Sequence, residues 1–217
     1  MMQHKFEDIS RYVSMQGMVK LDKIAAEAAQ VAREREAASK LVAESRADSA
    51  WIIVQVAYGR EQAVEKEMAE AGISACVIMR MGPERKRRYR LIPPTAIPVF
   101  NGILFAFCSP TPEALRGVKS FEHVKGVVMA GEIAALVSSE TIKQFREMAA
   151  VGEYDYKRGA KALKKGDKVR ITSGPFVGFE VSVDAFADAK GGDAVVTIMI
   201  FGKPTVFNMP LVMLEKV

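Results

Sequence analysis

The chain has 217 residues, 49% of them hydrophobic, and a formal net charge of +5 with a pI of about 9.2. That is enough for one large or two small cored domains, with a tilt toward an anionic partner. No apolar run approaches the roughly 20 residues that cross a bilayer, the N-terminus lacks the apolar core of a signal peptide, and repeats and low-complexity tracts are absent; membrane, solenoid and fibrous classes drop out, and a cytoplasmic location is expected.

Residues 1–48 form a first unit. Between Lys20 and Ala47 there is no Gly or Pro, and Ala, Glu, Lys and Arg dominate, so the stretch reads as one helix. Leu21, Ile24, Ala28, Val31, Leu41 and Val42 give it a thin apolar stripe on a broken three-four spacing. Over residues 1–48 eight basic residues face eight acidic ones, which argues against an electrostatic nucleic-acid arm. Two readings stay open: a solvated extension, or a helix that docks or dimerises as a short coiled coil.

At Trp51 the pattern switches to WIIVQV, a β-branched strand, so a domain begins near Ser49. After a turn at Tyr58-Gly59-Arg60, residues Glu61 to Ala71 predict a helix with Val64 and Met68 inward and Glu61, Glu65, Lys66 and Glu67 outward. Gly72 ends it. Ile73 to Met79 is a second strand, and Cys76 and Cys108, each among apolar residues and without metal-ligand spacing, read as buried reduced thiols.

Arg80 to Arg90 carries six cations (Arg80, Arg85, Lys86, Arg87, Arg88 and Arg90) against the single acid Glu84 in eleven residues. Such a run cannot be buried unpaired, so a protruding loop or hairpin is expected. It is either a solubilising loop or a contact for nucleic-acid phosphates or an acidic protein surface, with Tyr89 available for stacking. Pro93, Pro94 and Pro98 keep the chain extended before a strand from Val99 to Phe107. Thr111-Pro112-Glu113 is a helix start, with Leu115 and Val118 inward. Val124 to Gly131 reads as a short strand. Ser138 or Ser139 caps a last helix to about Ala150, with Ile142, Phe145 and Met148 inward. His123, beside Glu122 and far from His4, reads as a surface residue.

Val151 to Lys165 is polar and without periodicity, an interdomain linker. Lys157, Arg158, Lys161, Lys164 and Lys165 make it basic, as a plain spacer or as a tether near nucleic acid. From Gly166 the alternation resumes, with Val169 and Ile171 apolar between Lys168, Arg170 and Thr172. Ser173-Gly174-Pro175 forces a turn. Phe176, Val177 and Phe179 sit on it around Gly178, as lids on a core or as contacts held out for a partner. Strands are expected at Lys168–Thr172, Glu180–Phe186, Ala194–Ile200, Thr205–Asn208 and Val212–Lys216, with Gly191-Gly192-Asp193 as a hairpin turn. Five short strands in the last 52 residues suit a small closed barrel.

Gly166-Asp167, Gly174-Pro175-Phe176, Gly178-Phe179-Glu180 and Ile200-Phe201-Gly202, closing on Leu214-Glu215, resemble in order the KOW motif and C-terminal domain of NusG-type transcription factors. Val181 stands where that family usually has glycine. Trp51, Val54, Gln55 and Glu61, then Phe100, Gly102, Leu104 and Phe105, resemble the family's N-terminal (NGN) domain, with Asn101 for its proline and Ile103 for its tyrosine. The resemblance runs from Trp51 to Val217. It implies an α+β protein: a helical extension over 1–48, an NGN-like α/β sandwich over 49–150, a basic linker over 151–165 and a five-stranded SH3-like KOW barrel over 166–217.

The resemblance also implies a transcription elongation, termination or antitermination regulator. Trp51, Phe100, Ile103 and Phe105 would grip the clamp of RNA polymerase, and Arg85, Lys86, Arg87, Arg88 and Arg90 would lie near DNA or nascent RNA. Phe176, Val177, Phe179, Ile200 and Phe201 would bind termination factor Rho or a small-subunit ribosomal protein. The family does not normally carry the helical extension, which together with Asn101, Ile103 and Val181 points to a specialised paralogue. No phosphate loop, serine elbow, histidine pair or carboxylate cluster is present, so binding rather than catalysis is expected, without cofactor or metal. The alternative is a KOW-type RNA-binding or ribosome-associated module, which has no need of the α/β domain that begins at Trp51.

Overall fold

A computed structural model describes residues 14–156, 163–186, 192–200 and 203–217. Helix α1 (Met15–Ala37) starts at Ser14, whose hydroxyl accepts from the Gly17 amide. The expected single helix is broken at Ala38, which is buried, and restarts as α2 (Lys40–Ser45) under the cap of Ser39. The Lys40 amide donates to Gly72 O at 2.8 Å, so the break folds the chain back onto the α/β part.

In chain order there follow β1 (Ala50–Val56), α3 (Glu61–Glu70), β2 (Ser74–Cys76), β3 (Met79–Met81), β4 (Arg85–Arg87), β5 (Arg90–Ile92), β6 (Ala96–Pro98), β7 (Ile103–Cys108), α4 (Pro112–Lys119), β8 (Val124–Val127), β9 (Met129–Ala130), β10 (Ile133–Ala134), β11 (Leu136–Val137) and α5 (Ser139–Ala150). The central sheet has the order β11-β1-β7-β2, with β8 also pairing β1, and every pair is antiparallel. β1 and β7 are its spine, with Trp51 opposite Phe107 and Ile53 opposite Phe105.

Because side chains alternate along a strand, β1 serves two cores. Ile52, Val54 and Val56 pack with Val64 and Met68 of α3 and Ala114 and Val118 of α4. Ile53 faces the other way, with Ile103, Phe105, Ile142 and Phe145. On the outside, α1 crosses α4 at Gly117, where a Cβ would run into the backbone at Glu34. Arg35 donates to Ser120 Oγ at 2.8 Å and stacks 4.0 Å above Phe121, and Arg116 pairs with Glu34 at 2.7 Å.

Several expectations change. The strand expected from Val99 begins at Ile103, because Gly102 (φ +75) holds a turn through Asn101. Glu61 is buried, not outward: its carboxylate accepts from the Gly102 amide at 2.6 Å and fixes that turn. Met148 is 37% exposed, and Ala114 rather than Leu115 is the buried partner of Val118.

The C-terminal part comprises β12 (Lys168–Ile171), β13 (Glu180–Phe186), β14 (Asp193–Ile200), β15 (Lys203–Pro210) and β16 (Leu214–Lys216) in one antiparallel sheet of order β15-β14-β13-β12-β16. Val169, Ile171, Val181, Val183, Val196, Ile198, Phe207 and Met209 are all buried. Gly191, and Lys157, Arg158 and Lys161 of the basic linker, lie outside the described residues. Among the described residues no helix is long and apolar enough to cross a membrane.

Candidate functional site

The apolar face of the α/β part and the aromatic turn of the C-terminal sheet lie against each other. Phe100 is held on the Gly102 turn, Phe145 comes from α5, Phe176 from the turn after β12, and Phe207 from β15. Phe100 is 5.5 Å from Phe145, 5.4 Å from Phe176 and 6.3 Å from Phe207, and Phe176 is 4.8 Å from Phe207, all between ring centroids. Edge-on and tilted arrangements of this kind suit the ring quadrupoles. Gly174 (φ +80) lets the turn come close: a Cβ there would lie 3.3 Å from Phe145 and 3.1 Å from Met213.

A second contact pins the same two parts. Arg80, on β3, donates through Nη2 to Asp193 Oδ2 at 2.6 Å and through Nη1 to Tyr154 O at 3.4 Å. Both charged side chains are buried, while Arg80 Nε and Asp193 Oδ1 have no hydrogen-bond partner among the described residues. Tyr154 is itself 1% exposed; its ring is 5.0 Å from Phe145 and its hydroxyl lies 3.4 Å from Met148 Sδ. Burial pushes its pKa up, partly offset by a hydrogen bond with Ser173. The following residues are tied to β3: Asp155 Oδ1 accepts from the Met81 amide at 2.8 Å, and the Tyr156 amide donates to Met81 O at 3.0 Å.

Of the four residues read as polymerase contacts, Phe100, Ile103 and Phe105 are buried at 3%, 4% and 1% exposure, and Trp51 is half-buried at the far end of β1. Of those read as partner contacts, Phe176 is buried with Phe100, whereas Val177 and Phe179 are 57% and 37% exposed. Ile200 ends β14, and Phe201 lies outside the described residues. The cationic run forms the hairpin β4–β5, with Arg87 opposite Arg90. Arg88 turns it at φ 49, Lys86, Arg88 and Arg90 are exposed, Tyr89 is wholly exposed at the tip, and Arg85 lies opposite Ile92.

Sequence reading missed Phe145, Tyr154 and Phe207 as seam residues, and missed Arg80–Asp193 entirely. The charge run alone groups Arg80 with the solvated hairpin; its place on β3, between Met79 and Met81, sets it apart. The two cysteines are buried free thiols, and burial raises Cys76 to about 11 and Cys108 to about 12. No group of three or more metal-ligating side chains occurs among the described residues.

Fold and site together define an α+β protein with a mated aromatic seam beside an exposed cationic hairpin. Residues 49–146 match the family described as transcription termination factor nusG. Among solved structures it is similar to that of domain interaction in Thermotoga maritima NusG, at 25% identity over 78% of this chain and 97% of that one, with a TM-score of 0.40. It is also similar to a chain of the MjSpt4:Spt5 complex, at 14% identity over 77% and 97% of the two chains, with a TM-score of 0.24.

Proposed function

We propose that this chain regulates transcription elongation by binding RNA polymerase through the NusG-family domain, and that it rests in a closed form in which the C-terminal sheet covers the binding face. The observation that carries the reading is the Phe100–Phe176 contact, 5.4 Å between centroids. It places one residue of each surface read as a partner contact in a single buried cluster. A helix of the polymerase clamp and the C-terminal sheet then compete for Phe100, Ile103 and Phe105, and the factor stabilises the processive enzyme by its differential affinity for the closed clamp. The C-terminal sheet is a KOW barrel. Once released, it exposes Phe176 beside Val177 and Phe179 for Rho or a small-subunit ribosomal protein, and tethering turns two modest contacts into a bridge. Lys86, Arg88 and Arg90, with Arg85 and Arg87 of the same hairpin, contact the nucleic acid of the complex, Tyr89 stacking at the tip.

The test is capture of core RNA polymerase by the full chain. Wild type binds, and Phe100→Ala with Ile103→Ala lowers affinity at least about tenfold, one lost apolar anchor being worth about 1.4 kcal/mol or more. Neutralising Arg85, Arg87 and Arg88 instead lowers the salt dependence. Full-chain binding to RNA with none to polymerase would move the function to a KOW-type RNA-binding or ribosome-associated module.

A further inference from the structure

Helix α1 outruns its support. Its C-terminal turns rest on α4 through Glu34 and Arg35. Every residue from Leu21 to Gln30 is exposed, and no residue of the whole helix is buried. Leu21 and Ile24, the two large apolar residues of that stretch, are 37% and 61% exposed. A bare rod of about 15 Å is marginal as helix unless something packs on it. Leu21, Ile24, Ala28 and Val31 follow one another at spacings of three, four and three residues, which are the a and d positions of a coiled coil. Val31 is already half-buried at the α4 end, so the bare part of the stripe is Leu21, Ile24 and Ala28.

The charges beside the stripe select the occupant. Between Met15 and Gln30 two cations, Lys20 and Lys23, are balanced by two acids, Asp22 and Glu27, so the segment offers little to a surface of one sign. Lys20 and Glu27 stand in successive g positions, seven residues apart and opposite in charge. In a parallel pair of these helices they would face Ala25 and Ala32 of the other copy and find no charge. In an antiparallel pair that layers Leu21 on Ile24 of the other copy, each Lys20 meets a Glu27. We propose that α1 is a homodimerisation helix: two copies pack antiparallel through Leu21 and Ile24 about a two-fold axis between residues 22 and 23, flanked by two Lys20–Glu27 pairs. Glu27 is already held 3.9 Å from Lys23 of its own helix, which leaves it between two cations in the pair. Such a contact is self-complementary and closes at two copies. It places the two α/β parts at opposite ends of the rod, with the two Arg35 anchors on the order of 40 Å apart along it. Because α1 lies on the α4 side of the central sheet, the dimer engages neither aromatic seam, and the proposal stands apart from the polymerase reading.

Sedimentation equilibrium of the full chain from about 1 to about 300 µM reads the association, a range that suits an interface of a few layers. Wild type is expected to pass from monomer to dimer within it. Leu21→Ala with Ile24→Ala preserves helix propensity and is expected to weaken the dimer at least about tenfold. Lys20→Glu and Glu27→Lys, each alone, place like charges across both flanks and weaken it about threefold or more at low salt. An equimolar mixture of those two single variants is expected to associate as wild type does, because every cross-chain pair is again opposite in sign, and a folding defect would not be cured by mixing. Nitroxide labels then report the direction of packing. On Asp22→Cys, beside the axis, they are expected on the order of 15–20 Å apart, and on Glu36→Cys about 40 Å or more; Cys76 and Cys108 are buried and stay unlabelled. A chain that stays monomeric over the whole range, a dimer that survives the alanine pair, a mixture that fails to recover, or equal distances from the two labels would overturn the proposal.

Discussion

The central sheet is covered on both sides, but by different chemistry. On one side α3 and α4 contribute Val64, Met68, Ala114 and Val118 to a core of apolar residues. On the other, α5 and the C-terminal sheet supply the phenylalanine cluster, yet the seam also buries Arg80 against Asp193 and leaves Arg80 Nε and Asp193 Oδ1 without a hydrogen-bond partner among the described residues. Apolar burial holds a cover in place without directional demands. A buried ion pair with unsatisfied atoms returns little net stability, because both groups lose more hydration than they regain. On the proposed reading the second cover is the one that comes off, since opening re-solvates both charges at once.

The largest expected effect tests that contrast directly. Arg80→Ala strands the Asp193 carboxylate in the seam and destabilises the closed form by roughly 3–5 kcal/mol, whereas Arg80→Met with Asp193→Leu is neutral or stabilising. Hydrogen exchange in β12 and β16 reads the difference. Equal effects of the two variants would remove the ion pair from the account.

The outer contact of α4 with α1 gives the next prediction. Gly117→Ala pushes a methyl group into the backbone at Glu34 and costs about 1–3 kcal/mol, seen as lost protection in α1 with the aromatic seam unchanged. At the seam itself, Gly174→Ala combines a positive φ with a 3.3 Å approach to Phe145 and loosens the C-terminal sheet by about 1–2 kcal/mol, as measured by its thermal transition.

pH gives the smallest effect. The Lys164 amide and the Lys216 ammonium hold the Asp167 carboxylate below its usual range. Its pKa is depressed in the fold, so its stabilisation is present above the ordinary carboxylate pKa and is lost as pH falls through the lowered value. Asp167→Asn should flatten that part of the acid limb of a melting-temperature profile. The thiols act with the opposite sign. Cys76 and Cys108 are raised to about 11 and about 12, so their contribution is complete below the ordinary thiol pKa and declines as pH rises toward those values. Both resist alkylation at pH 8 in the native chain.

Much of this architecture was readable from residue pattern. The β-branched run at Trp51, the Thr111-Pro112 helix start and the alternation after Gly166 are local signals, and β1, α4 and the strands of the C-terminal sheet follow them closely. What escaped was long-range. Nothing in the sequence pairs Arg80 with a residue 113 positions away, and Phe100 reads as a polymerase contact from the family resemblance while Phe176 reads as either a lid or a partner contact. That two apolar surfaces satisfy one another is a property of the folded chain. Glu61 escaped for a related reason: helical spacing marks it as solvated, and the Gly102 amide that donates to it lies 41 residues on.

One distance measurement bears on the closed form most directly. Tyr58 and Val206 line the same cleft from opposite parts of the molecule and are 75% and 64% exposed, so nitroxide labels on Tyr58→Cys and Val206→Cys report the seam without entering it. The free chain is expected to give one short, narrow distance, and the complex with core RNA polymerase a long, broad one. A distance that stays short in a tight complex would contradict the account, because the polymerase would then be held without Phe100, Ile103 and Phe105.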